Sequence, residues 1–265
     1  MSARSDAPTA RLIDELRRYP SLAIAVSGGV DSLTLATVAH RAMSPAPLMV
    51  HAVSAAVPAA ATERAREAAA AQGWSLKEIV AGEFDDANYL ANPYNRCYHC
   101  KSNLYRSMRA ITDRALASGT NVDDLSDFRP GLKAATERDV VHPFVNAGIG
   151  KDQIRAIARA EGLEYAELPA QPCLASRIET GIPIRGFDLR FVDELEARIR
   201  SMLGEQSTVR VRMRAGGVHV ELGDWPHAAV QERVEAAARA LCAERDYSFV
   251  ALKPYRQGSA FVGPE

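Results

Sequence analysis

Neither sign of charge prevails in this chain of 265 residues: 32 lysines and arginines stand against 33 aspartates and glutamates, a net charge of −1. Nucleic acids and anionic membranes select a basic footprint, so this balance argues against both as partners. Long apolar runs are missing too. None approaches the ~18 residues of a membrane span, and Met1 to Pro20 carries charges throughout, with no apolar stretch to act as a signal sequence. The expectation is a cytoplasmic protein. Cysteine is scarce: 4 residues cannot staple a chain of this size, and the cytoplasm keeps thiols reduced. What is present is an ordinary globular composition, 47% hydrophobic and 25% charged. A chain of this length buries roughly 70–75% of its unfolded surface.

The first half alternates strand-like and helix-like segments. Ser21 to Val26 is a short apolar run closed by a Ser-Gly-Gly turn, and the apolar spacing from Asp31 to Ala42 predicts a helix. Pro47 to Val53 predicts a second strand, Ala59 to Gln72 an alanine-rich helix stopped by Gly73, and Leu76 to Val80 a third strand. A helix is expected from about Ser102 to Leu116. A loop rich in Gly, Asn, Asp and Pro then runs to Gly131, and a further helix spans Lys151 to Glu161. This alternation predicts an α/β fold, a parallel sheet with helices on both faces. Ligands of such sheets bind beyond the carboxyl ends of the strands.

The pattern changes near Pro183. A charged amphipathic helix (Asp188 to Leu203) leads into an alternating hairpin, Thr208 to Arg214 and Val218 to Leu222, turning at Gly216–Gly217. A helix (Ala228 to Glu244) and a strand (Tyr247 to Leu252) complete a small α+β C-terminal domain. The expected division is 1–183 and 184–265.

Ser27-Gly28-Gly29-Val30-Asp31-Ser32 follows the first strand directly and opens a helix. Its glycines allow positive φ and close backbone approach. The free amides of the helix start, with the hydroxyls of Ser27 and Ser32, make a nest for phosphate. The Gly-Lys-Ser/Thr ending of a Walker A loop is absent, as is the spacing of a dinucleotide fingerprint. Asp31 would repel phosphate unless a cation lay between them, so it is a candidate Mg²⁺ ligand. The plain alternative is a turn that merely joins strand to helix. SGGVDS resembles the PP-loop of ATP pyrophosphatases, which split ATP into AMP and pyrophosphate.

Cys97 and Cys100 form a Cys-x-x-Cys beside Arg96 and Lys101, and adjacent cations favour the thiolate. Cys173 stands alone in Gln171 to Arg177, again near an arginine. Three sulfur ligands leave one position open on zinc or on one iron of a cubane cluster. The alternative is buried, inert thiols, and Cys242 in its apolar helix is read that way. Asp123 and Asp124 sit in a turn where they meet Mg²⁺ or a substrate group, or make a solvated Asx-turn. Arg129 reaches a phosphate or is a loop charge. Lys151 and Arg155 share a helix face. Period-2 alternation projects Arg210 and Arg212 from one face, with Glu221 able to join them, although such a row is usually the wet side of a sheet.

Taken together, the PP-loop, NPYNRCYHCK (92–101), SGTNVDD (118–124), RPGLKAATE (129–137), GKDQIR (150–155), CLASR (173–177) and VRVR (209–212) resemble the LarE-type pyridinium dicarboxylate mononucleotide sulfur transferases. The resemblance implies an adenine nucleotide alpha hydrolase-like PP-loop domain and a role in nickel-pincer cofactor synthesis. It implies that ATP with Mg²⁺ adenylates a carboxylate of the small-molecule substrate and that sulfur then displaces AMP. The nucleotide would be held by Ser27, Gly28, Gly29, Asp31, Ser32, Asp123 and Arg129. The substrate phosphate would meet Arg210, Arg212 and Glu221, often at a subunit contact, so a homo-oligomer (hexamer or dimer) is expected. Two sulfur sources occur in the family, a sacrificed cysteine matching Cys173 or a 4Fe-4S cluster on three cysteines. Retention of Cys97, Cys100 and Cys173 favours the cluster. The competing functions are a PP-loop tRNA thiolation enzyme, an ATP-dependent amidating ligase and a non-catalytic nucleotide sensor.

Overall fold

In the computed structural model, which describes residues 3–125 and 130–261, contacts divide the chain into two compact units. One comprises Met1–Asp85 with Cys97–Ala170, the other Asp86–Arg96 with Gln171–Glu265.

The first unit opens with α1 (Ala3–Leu16), followed by β1 (Leu22–Ala25), α2 (Val30–Ala42), β2 (Leu48–Ala52), α3 (Ala59–Gln72) and β3 (Ser75–Ile79). After α4 (Ala87–Leu90), which belongs to the second unit, come α5 (Arg96–Arg109), β4 (Ala115–Ser118), α6 (Pro130–Thr136), α7 (Pro143–Asn146) and α8 (Lys151–Ala160). The four strands form one sheet in the order β3-β2-β1-β4, parallel throughout. β1 lies inside it and sends successive side chains to opposite faces. Leu22 and Ile24 enter a core built with Leu12 and Leu16 of α1, Leu33 and Leu35 of α2 and Ile154 of α8. Ala23 enters the opposite core with Leu104, Tyr105 and Met108 of α5 and Ala135 of α6. Helices therefore cover both faces, and the fold is α/β.

Two elements differ from expectation. α1 carries its apolar signal only at Leu12, Ile13 and Leu16, within a charged segment. The helix expected to reach Leu116 instead begins at Arg96 and ends at Arg109, and residues 115–118 form β4. Ala-Leu-Ala-Ser has little strand propensity of its own; pairing of Leu22–Ala25 with Ala115–Ser118 makes it a strand.

In the second unit, α9 (Gly186–Leu203), β5 (Val209–Arg214), β6 (Gly217–Leu222), α10 (Ala228–Glu244) and β7 (Phe249–Pro254) follow in turn. The sheet order is β5-β6-β7, with the first pair antiparallel and the second parallel. Val209, Val211, Val218 and Val220 are buried, as are Leu189, Leu195 and Ile199 of α9 and Leu241 of α10. The hairpin turns one residue earlier than expected, at Ala215–Gly216, since Gly217 already pairs with Arg214. Gly217 adopts φ +120, and a Cβ there would stand 2.5 Å from the Ser248 carbonyl, so only glycine lets the strands close.

Candidate functional site

The loop after β1 turns through two glycines into the start of α2. Gly28 has φ +75, and a Cβ on it would lie 2.0 Å from the Ala61 carbonyl of α3. Gly29 is the N-cap of α2 without a side-chain cap, leaving the first amides of that helix with no intrahelical acceptor. The Ser32 hydroxyl works inside the loop: it donates to Gly29 O (3.1 Å), accepts from Ser27 N (3.0 Å) and meets Ser27 Oγ at 3.1 Å. That fills the bonding capacity of a hydroxyl, so Ser32 staples the loop rather than standing open. Three supporting side chains carried no motif. His51 Nδ1 donates to Val26 O (2.8 Å), His51 Nε2 meets Thr62 Oγ1 (3.0 Å), and Arg64 Nε donates to Gly28 O (3.0 Å). A buried histidine in the run PLMVHAV was the one sequence signal among them.

β4 neighbours β1, so the segment after β4 lies beside the loop. A Cβ on Gly119 would meet Ser32 N at 2.9 Å. Asn121 Nδ2 donates to Asp31 Oδ2 at 3.0 Å. Burial first, and then the charge of Asp124, push the Asp31 carboxyl above its ordinary value, with Lys151 pulling the other way. Lys151 Nζ lies 3.2 Å from Asp124 Oδ1. Asp123 is exposed and accepts from Lys151 N at 2.6 Å, capping α8. Arg155 is turned to the Leu168 carbonyl (2.7 Å). Arg129 lies outside the described residues. Ser118 Oγ bridges Thr120 Oγ1 (3.0 Å) and His142 Nδ1 (2.9 Å), and burial holds the His142 imidazole below its ordinary value.

Cys97 and Cys100 occupy the first turn of α5, half-buried and three residues apart, hence on one helix face. The helix read from the sequence starts only at about Ser102, after both thiols, whereas α5 already begins at Arg96. Cys173 is exposed and belongs to the second unit. Among the described residues, no three His, Cys, Asp or Glu side chains stand together as a metal site. Two carboxylates plus substrate oxygens suffice for Mg²⁺. Asp31, raised by burial and by Asp124, has the environment a bound cation would relieve.

Around Cys173 the second unit is tightly organised. Cys173 is the N-cap of a 3-10 turn, Leu174–Arg177. Arg177 is buried and grips Glu196 of α9 with two bonds, Nε–Oε1 at 2.8 Å and Nη2–Oε2 at 2.9 Å. Its Nη1 donates to Pro172 O (2.6 Å), Cys173 O (3.2 Å) and Ser176 Oγ (3.0 Å). Glu196 also accepts from Val211 N of β5 (3.0 Å). Burial pushes the Glu196 carboxyl up, but Arg177 outweighs it and the net is below the ordinary value.

Arg210 and Arg212 are 6% and 4% exposed, so this side of the hairpin is not the wet face such a row suggests. Arg210 lies opposite Glu221 in register. Glu221 instead accepts from Arg212 Nε (3.0 Å) and Ser259 Oγ (2.7 Å), and Arg212 Nη1 donates to Ser176 O (3.1 Å). Burial, then the charge of Arg177, pull Arg210 down to about 10.

No known family model matches the chain. Over 216 residues, 80% of this chain and 79% of the relative, it is 36% identical to the uncharacterized protein slr1717 of Synechocystis. The chain belongs to the slr1717 family. This slr1717-family chain is also 29% identical over 164 residues to the uncharacterized protein MJ0830 of Methanocaldococcus jannaschii, covering 60% of the chain and 62% of that relative. More distantly, it is 25% identical over 218 residues to pyridinium-3,5-bisthiocarboxylic acid mononucleotide synthase of Lactiplantibacillus plantarum, covering 80% and 78%. That distant relation supports the likeness read from the motifs.

Proposed function

We propose that this protein is an ATP-dependent sulfur transferase that converts a carboxylate of a pyridinium dicarboxylate mononucleotide into a thiocarboxylate, a step toward a nickel-pincer cofactor. The observation that carries the reading is the stapled Ser27–Ser32 cradle at the start of α2, with Asp31 at its edge. The distant likeness to the Lactiplantibacillus synthase supports the substrate class.

A carboxylate is a poor electrophile, and adenylation gives it a good leaving group. The substrate oxygen attacks the α-phosphorus of ATP, and pyrophosphate departs. The amides at the start of α2 hold the phosphates. Asp31 and Asp124 would hold Mg²⁺, which when bound neutralises charge building on the pyrophosphate. Lys151 tempers the charge of Asp124, and Asn121 orients Asp31. Arg210 and Arg212 would take the substrate's own phosphate, with Glu221 aligning Arg212; an anion there relieves the crowding of buried guanidiniums.

Sulfur transfer depends on Cys173. As donor, its Sγ attacks the acyl carbon and AMP leaves as the thioester forms. Loss of the Cα proton then breaks the Cβ–Sγ bond, releasing thiocarboxylate and leaving dehydroalanine. Arg177 holds the Pro172 and Cys173 carbonyls and so fixes the turn that presents the thiol.

Purified protein given Mg-ATP and pyridinium-3,5-dicarboxylate mononucleotide should release AMP and pyrophosphate only when that substrate is present, with the thiocarboxylate visible by mass spectrometry. ATP that stays intact overturns the proposal. Iron and acid-labile sulfide in an anaerobic preparation would assign the sulfur to a cluster. A colourless chain lighter by the elements of H₂S would assign it to Cys173 itself.

A further inference from the structure

We infer that Arg64, which lies in none of the motifs, is a positioning residue of the phosphate loop: it holds and polarises the Gly28–Gly29 peptide so that the Gly29 N–H faces the bound anion. The inference rests on the reading of Ser27–Ser32 as the phosphate site and deepens it.

A nest of amides attracts an anion only when its carbonyls are turned away from the cradle. Three carbonyls in and just before this loop are held by donors of the protein itself. Val26 O is held by His51 Nδ1, Gly29 O by Ser32 Oγ and Leu33 N, and Gly28 O by Arg64 Nε. Of these donors, Arg64 is the guanidinium, and charge-assisted hydrogen bonds are roughly twice as strong as neutral ones. The peptide whose oxygen it grips is the one whose N–H belongs to Gly29, the N-cap of α2. Hydrogen bonds in series polarise one another. A cation on the Gly28 oxygen therefore makes the Gly29 N–H a stronger donor to whatever anion occupies the nest.

The loop also needs positive charge from elsewhere. It has no lysine of its own, and the carboxylates of Asp31 and Asp124 stand nearby. α3 supplies the guanidinium and keeps it in place. The helix packs so closely that the Ala61 carbonyl occupies the space a Gly28 side chain would need. One residue on, Thr62 holds His51, which anchors Val26. Ala61, Thr62 and Arg64 thus form one buttress under the cradle.

The test measures inorganic pyrophosphate and adenosine binding by calorimetry in the full-length protein and in Arg64→Met, which keeps the aliphatic stem. Loss of a charged hydrogen bond predicts pyrophosphate affinity weaker by about tenfold, with adenosine affinity and melting temperature unchanged. Unchanged pyrophosphate affinity overturns the inference, as does an equal loss for adenosine, which marks general loosening of the unit. Failure of the unaltered protein to bind pyrophosphate overturns it as well. Should Arg64→Met not fold, Arg64→Gln serves in its place, because the neutral amide takes the charge off the Gly28 oxygen. Equal pyrophosphate affinity in that variant is again the overturning result. Pyrophosphate binding that depends on Arg64, without AMP release from ATP and the pyridinium substrate, leaves the inference standing and removes the sulfur-transfer reading.

Discussion

Asp31 carries two opposed demands. Burial and Asp124 raise its carboxyl above the ordinary 3.8, so the folded chain holds that proton more tightly than the unfolded one. Above the raised value, ionised Asp31 therefore favours unfolding. Asp31→Asn should melt higher than the parent at pH 7, with the gain shrinking as pH falls toward the ordinary carboxyl range. Pyrophosphate release should be abolished. A scanning-calorimetry series against pH, beside a pyrophosphate assay, reads both; normal release would remove Asp31 from the mechanism. The cysteines separate by the same logic. Cys242 is buried and burial pushes its thiol up to about 11, whereas Cys173 is exposed. Since the thiolate is the reactive form, iodoacetamide at pH 8 should label Cys173 in the native protein and Cys242 only after denaturation. Native labelling of both at one rate would contradict the burial of α10.

The turn that carries Cys173 is held by elements rather than by its own sequence. The 3-10 turn Leu174–Arg177, α9 and β5 meet at Glu196, which binds Arg177 and Val211 N together. Removing one partner of a buried pair strands the other, so Glu196→Gln should destabilise the protein by about 3–5 kcal/mol in urea unfolding at pH 7. Because the folded Glu196 value is depressed below 4.5, the pair's contribution is present above that pH. It fades as pH falls through the depressed value. The gap between parent and variant should close correspondingly in acid; a gap that persists at low pH would mean that packing, not charge, joins these elements. The strands of this unit were legible because Val209, Val211, Val218 and Val220 alternate. That the arginines between them are buried was not, because alternation separates two faces of a sheet without saying what covers either.

At the scale of the whole chain, the near-zero net charge still bears on partners. A nucleic-acid enzyme needs phosphate-neutralising cations, and its affinity falls steeply with salt. With 32 basic against 33 acidic residues, filter binding should detect no salt-sensitive tRNA complex; tight binding that weakens with salt would favour tRNA thiolation over a free mononucleotide. No helix among the described residues is long and apolar enough to cross a membrane.

Local chemistry alone determined the parallel strand–helix alternation, the glycine loop after β1 and the alternating hairpin, since hydrophobic period and turn residues act within a few positions of themselves. Tertiary structure decided the rest. Ala115–Ser118 became a strand by pairing with β1, and that pairing carried Gly119 and Asn121 to Ser32 and Asp31. α3 set Arg64 on the Gly28 carbonyl, and α9 set Glu196 on Arg177. Each of these contacts joins residues far apart in the chain, where spacing holds no information and only packing and the satisfaction of buried polar groups select the partner.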